Sequence, residues 1–303
     1  MGAQSSKTGT ADELIAAALA GKTTEVKQFL SKGLSIDQQD SQGNSALGAA
    51  CCGGHVELAE HLISAGASLE HRNKIGTTPL WLASGYGHSA LLTVLLKAGA
   101  AVDAVNNTND TPILAAASRG HTETVRILLE AGADAASPNK SGDTALSVAV
   151  RSSSVEVVRA LLAGSSLAEA VNAANSKGVY PIGAAAAAGS PGVVSALLSA
   201  GADVGVRDAN GATPLAVAAH CGQPEVVEAL LAAAAIDLNA TDPSGATPMW
   251  LAAAGGHGAV VQALVAAGAD TVKAGPKGLR PVEVARENGW GKCVEILEAA
   301  GER

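Results

Sequence analysis

Strings of the general form Asn/Asp-x-x-Gly-x-Thr-Pro-Leu recur along the chain at a nearly constant spacing, and no other feature limits its fold so tightly. NKIGTTPL begins at Asn73, NNTNDTPI at Asn106 and NKSGDTAL at Asn139, successive starts lying 33 residues apart. DSQGNSAL at Asp40 sits 33 residues before Asn73. NSKGVYPI at Asn175 follows Asn139 by 36, DANGATPL at Asp208 comes 33 later, DPSGATPM at Asp242 34 later and GPKGLRPV at Gly275 33 after that. A period in this range marks stacked units, each burying its apolar face only against its neighbours. Composition agrees: 48% of the 303 residues are apolar but only 2% are aromatic, which suits thin, closely spaced layers better than one bulky core.

Each unit reads as turn, helix, loop, helix. Asp40 with Gly43, or Asn73 with Gly76, is turn chemistry, since short polar side chains and glycine tolerate tight backbone angles. Thr78, Thr111, Thr213 and Thr247 are placed to cap a helix whose first residue is Pro79, Pro112, Pro214 or Pro248, where a missing N–H costs nothing. That helix is Ala-rich and ends at Gly54, Gly87, Gly120 or Gly256. A second helix carries apolar residues at three- and four-residue spacing, as in Val125, Leu128 and Leu129, and ends at Gly66, Gly99, Gly132, Gly201 or Gly268.

The TPL, GH and GAD strings resemble the consensus of the ankyrin-repeat family, and the resemblance spans roughly residues 10–303. It implies an all-α fold with short β-turn or hairpin tips, a solenoid of about eight to nine helix-turn-helix units. The expected layout is a flexible segment over 1–10 and a repeat domain over 11–303. Within that domain a cap spans 11–39, repeats start near 40, 73, 106, 139, 175, 208 and 242, and a terminal repeat spans 275–303. Lys22, Lys27, Gln28 and Lys32 polarise the first unit, and Lys292, Glu295, Glu298 and Glu302 the last. The unit at Asn139 departs from the pattern: Ser153-Ser154 replace Gly-His, three extra residues fall within Gly164 to Glu169, and Tyr180 then stands where a capping Thr is expected. Because the stability of such an array sums over units and neighbour interfaces, the sequence predicts a weak or bent joint near 150–185.

The sequence argues against several function classes. A formal charge of −8 makes nucleic acid a poor partner. The most apolar stretch, Ile182 to Leu198, is broken by Gly and Pro and falls short of the ~18 residues of a membrane span. Cys51, Cys52, Cys221 and Cys293 have neither disulfide nor zinc spacing, which suits a reducing, cytoplasmic setting. His61, His71 and His220 have no metal-ligand spacing, and no phosphate-binding loop is present, so neither a cofactor nor an enzyme is expected. Vicinal Cys51-Cys52 read as small residues tolerated in a helix, with acylation or redox sensing as the functional alternative. His55, His88, His121 and His257 recur at one repeat position, and the resemblance implies imidazoles that bridge loops. Trp290 takes that position in the last unit and is expected to seal the cap. The opening Met1-Gly2-Ala3-Gln4-Ser5-Ser6 fits an N-myristoylation signal at Gly2, which gives only reversible residence at the cytoplasmic face of a membrane.

Ankyrin repeats bind partners along turn tips and the exposed side of the first helix, so the resemblance implies a monomeric protein-interaction module. Its expected role is an adaptor or scaffold; the alternative is an inhibitory or targeting subunit that masks an enzyme or transcription factor. Carried over by position, the surface comprises Arg72, Lys74, Asn107, Asp110, Lys140, Asp143, Lys177 and Arg207 at the tips, with Tyr86, Arg119 and Arg151 on the helices. Packing between adjacent repeats is the favoured role for Trp81 and Trp250, and Trp81 with Tyr86 is the best aromatic candidate for an interface anchor. Bases outnumber acids on this face, against the sign of the whole chain, which points to an acidic or phosphorylated partner segment.

Overall fold

The computed structural model describes residues 4–163, 170–233 and 235–301, and of residues 4–10 it describes the backbone. Gly2, Glu302 and the extra residues read within Gly164 to Glu169 lie outside the described residues. The chain divides into two compact units, Met1–Ser152 and Ser153–Arg303. That boundary falls inside the stretch where the repeat pattern breaks.

The first unit holds α1 (Gln4–Leu19), α2 (Thr23–Ser31), α3 (Ala46–Gly53), α4 (Val56–Ser64), α5 (Pro79–Tyr86), α6 (Ser89–Lys97), α7 (Pro112–Ser118), α8 (Thr122–Glu130) and α9 (Ala145–Arg151). The second holds α10 (Val155–Leu162), α11 (Pro181–Ala188), α12 (Pro191–Ser199), α13 (Pro214–His220), α14 (Pro224–Leu231), α15 (Pro248–Gly255), α16 (Gly258–Ala266), α17 (Pro281–Glu287) and α18 (Gly291–Gly301), with single 3-10 turns at Ala170–Asn172 and Pro276–Gly278. No strand occurs among the described residues, so the tips are turns rather than hairpins. Helix α1 begins at Gln4, whereas composition suggested a flexible segment through residue 10. Backbone hydrogen bonding through Ala11 continues without a proline to interrupt it.

Within each unit first helices pack on first helices (α3 between α1 and α5, α13 between α11 and α15) and second helices on second helices (α4 with α6, α12 with α14). Small residues permit the close approach of the first row: Ala49, Ala50, Ala83, Ala116 and Ala117 are buried. The second row supplies bulk through Leu58, Leu62, Leu91, Leu95 and Leu128, each fully buried and each contributing about 2 kcal/mol of apolar burial.

The expected caps form. Thr78, Thr111, Thr213 and Thr247 accept the N–H of Trp81, Leu114, Ala216 and Trp250 at 3.2, 3.4, 3.3 and 3.1 Å. Tyr180 provides no side-chain cap. Each tip is wound around its leading carboxylate or amide. Asn73 Oδ1 accepts from Ile75 N and Thr77 N at 3.1 and 3.0 Å, and Asp208 Oδ1 from Asn210 N and Ala212 N, both at 2.9 Å. Gly275 has no such side chain, and a 3-10 turn replaces the bracket there.

Within each unit the recurrent histidines pin neighbouring repeats together. His55, His88, His121 and His257 bond through Nε2 to the carbonyls of Leu19, Cys52, Gly85 and His220 at 2.8, 3.0, 3.1 and 3.0 Å. All four carbonyls lie in one repeat register near the end of the preceding first helix. Trp290 continues the series: its Nε1 donates to Ala254 O at 3.0 Å, an indole doing the work of an imidazole. His71, isolated in sequence, reaches Gly43 O at 2.8 Å and ties two tips together.

Candidate interaction site

The first unit gathers the aromatic and basic candidates of α5 and α7. Arg119 follows Tyr86 by one period, so the helix stack places it against the preceding unit. Its guanidinium lies 5.7 Å from the Trp81 ring centroid and 5.3 Å from that of Tyr86, and Nη1 donates to Gly85 O at 2.6 Å. Two cation–π contacts and a charge-assisted hydrogen bond thus hold the group in place. Tyr86 also stacks on His88, with centroids 6.3 Å apart. A hydrogen bond to Cys52, with the charge of Cys52 and partial burial, holds the Tyr86 phenol above its ordinary pKa, while Arg119 opposes the shift. Burial keeps Cys51 as an inert thiol, its pKa pushed far up with Cys52 adding to the effect.

The two tryptophans at one repeat position behave differently. Trp250 Nε1 donates to Leu279 O at 3.0 Å, whereas Trp81 Nε1 is buried and has no partner among the described residues. The indole of Trp250 lies over Gly275, where an added Cβ would come within 2.7 Å of Cδ1. Asn106 stands at that register after Trp81, and its Oδ1 accepts the N–H groups of Thr108 and Asp110, both at 2.9 Å.

The tip residues divide by what they already hold. Asp110 accepts from Thr108 Oγ1 and Asn139 Nδ2, both at 2.7 Å, and Asn107 Nδ2 donates to Lys74 O at 3.0 Å. Arg151 and Asp143 form a two-pronged pair, both contacts 3.0 Å, which neutralises two charges of the expected face. In the second unit Arg207 Nη1 spans Gly211 O and Thr241 O at 2.7 and 2.8 Å, while Lys177 is exposed. The basic excess therefore shrinks: Arg119, Arg151 and Arg207 have structural partners, whereas Arg72, Lys74 and Lys140 are exposed and make no ion pair among the described residues.

A groove beside this cluster was not foreseen from the sequence. It has a volume of about 530 Å³ and is lined by Ile15, Leu19, Cys52, Ile75, Leu82 and Tyr86, with Asp12 and Asp40 at its polar edge. Leu19, Ile75 and Tyr86 are 49%, 60% and 49% exposed, a high value for large apolar side chains. Ile75 was detectable: the same tip position carries Gln42, Thr108, Ser141 and Asn210, so one apolar member breaks a polar column. Gly48 at the groove floor was detectable too, because Trp81 and Trp250 occupy its register.

Among the described residues no group of three or more His, Cys, Asp or Glu side chains is arranged to hold a metal ion. No described helix is long and apolar enough to cross a membrane. Comparison with curated proteins gives no match. A family model described as ankyrin repeats (3 copies) matches residues 14–106, 87–175, 165–242 and 182–274. With that match over most of its length, and with paired helices, capped tips and pinned layers recurring at the family's period, the chain belongs to the ankyrin-repeat family, whose members serve as protein-interaction modules.

Proposed function

We propose that the protein is an adaptor or scaffold that holds partner proteins on the tip and first-helix surface of its first unit. The observation that carries this reading is the groove of Leu19, Ile75 and Tyr86, where exposed apolar side chains adjoin an immobilised Arg119. Aromatic anchors and arginine dominate binding hot spots, and pre-positioned side chains lose little entropy on association. Arg72, Lys74 and Lys140 at the neighbouring tips favour an acidic or phosphorylated segment in the part of the partner that leaves the groove.

The test is affinity capture from the native cell type with the wild type and a Leu19→Ser, Ile75→Ser, Tyr86→Ala variant. A defined partner set is expected to be lost from the folded variant, with each affinity at least ~30-fold weaker and the remainder sensitive to ionic strength. Capture of the same set by both chains overturns the reading. Several partners bound at once fit a scaffold, whereas a single partner whose activity falls on binding fits an inhibitory subunit.

Acylation of Gly2 belongs to the same proposal, on the strength of the Met1-Gly2 opening with Ser6. One myristoyl chain binds membranes only marginally, so partner binding would supply the second attachment. Gly2→Ala is expected to move the protein from the membrane to the soluble fraction; an unchanged distribution removes this part of the proposal.

A further inference from the structure

The third residue of a first helix can reach the tip of the following repeat, as Trp250 does in donating to Leu279 O. Helix α11 has Gly183 at this register. A Cβ added there would meet nothing within 4 Å. The missing side chain leaves a slot of about 160 Å³ inside the second unit, walled by Val179, Tyr180, Ala184, Ala187 and Val217. Its far end is the next tip, represented by Asp208 and Ala212.

Ala212 occupies the register of Leu279, the residue whose carbonyl receives the Trp250 indole. The Ala212 carbonyl accepts the Asp208 N–H at 3.0 Å, as the Leu279 carbonyl accepts the Gly275 N–H at 2.9 Å while also taking the indole. A second donor is therefore compatible with this geometry. Asp208 uses Oδ1 for two backbone N–H groups, and Oδ2 has no hydrogen-bond partner among the described residues. Asp208 is also the one ionisable side chain besides Tyr180 among the residues that line the slot. Arg207 beside it is turned to the Gly211 and Thr241 carbonyls.

Apolar walls, the Ala212 peptide and the Asp208 carboxylate define the chemistry of the occupant. Dry cavities of about 150 Å³ hold a single aromatic ring. We propose that the Gly183 slot is a binding site for a tryptophan side chain of a partner protein, placed where the chain's own Trp81 and Trp250 stand in other units. The indole N–H complements the Ala212 carbonyl and the Asp208 carboxylate, and the same carboxylate disfavours acidic residues next to that tryptophan and favours lysine or arginine. The inference deepens the reading of the chain as a protein-interaction module, but it rests on a different unit from the groove.

The test uses the full chain with isotopically labelled methyl groups and N-acetyl-tryptophanamide as probe. Titration is expected to shift the methyl resonances of Ala184 and Ala187 in a saturable way. N-acetyl-leucinamide should bind at least fivefold more weakly, since it offers no ring and no side-chain donor. Gly183→Leu, which fills the slot from its own helix, is expected to abolish the shifts. Ala187→Leu closes the slot from its wall and should do the same, which guards against a folding defect peculiar to one variant. Absence of shifts in the wild type, or their persistence in either folded variant, overturns the proposal. The groove variant of the first unit should leave the shifts unchanged, so failure of the slot and failure of the wider reading are separable.

Discussion

Gly87→Ala is expected to lower stability by about 3 kcal/mol, two to three times the effect of Gly132→Ala, although both replace a left-handed glycine. Gly87 has a φ of +75° and Gly132 a φ of +86°, so the backbone penalty of about 1–2 kcal/mol is common to both. Their surroundings separate them. An added Cβ at Gly87 would lie 2.6 Å from His121 Nδ1, whereas at Gly132 it would meet nothing within 4 Å. The His121 ring would have to leave Gly85 O, 3.1 Å away, and that carbonyl would keep only its bond from Arg119. Urea denaturation followed by circular dichroism measures the difference. Equal losses at the two positions would show that the imidazole pin contributes nothing to cohesion between layers.

The second large effect is expected at Gly275. Its φ is −110°, so alanine meets no left-handed penalty there, although its ψ of −143° lies outside the usual extended range and adds a backbone cost to the loss of packing. The new Cβ would stand 2.7 Å from Cδ1 and 3.0 Å from Nε1 of Trp250, and the indole would be displaced from Leu279 O. Loss of a partly buried hydrogen bond and of ring contact puts the cost at about 2 kcal/mol. Tryptophan fluorescence should change with it as one indole becomes hydrated. A variant with wild-type midpoint and spectrum would mean that the ring has another way to pack.

The repeat architecture was legible because its signals are local and redundant. Thr78-Pro79, Gly87 and His88 each fix one feature of a unit, and the next period repeats them. The imidazole bridges followed from the family resemblance, and the substitution of Trp290 from its register. The surface was less legible because a charged residue's availability depends on what faces it one period away. Arg151 reads as a free cation until Asp143 is seen eight residues back around the helix start. Arg207 likewise bonds across to Thr241, a residue with no sequence signal. The groove is hidden in the sequence for a related reason, since Leu19, Cys52 and Ile75 come from three periods and meet only when those periods are stacked.

The residue that follows the Pro-Leu pair changes from unit to unit: Gly48, Trp81, Leu114, Ser147, Gly183, Ala216, Trp250 and Glu283 share one register. The buried neighbours just before it, such as Leu47, Leu80, Ile113, Leu146, Ile182, Leu215 and Met249, scarcely vary in bulk. The first column therefore carries the interior, and the adjacent column, buried at Leu114 and Ala216 but partly exposed at Trp81, Gly183 and Trp250, lies at the margin of the surface. A change of letter in the second column raises a ridge or opens a hollow at a chosen height along the stack, while the fold beneath keeps its grammar. Such a molecule can be re-addressed to a new ligand by single substitutions, in the way a key is recut without recasting its shaft.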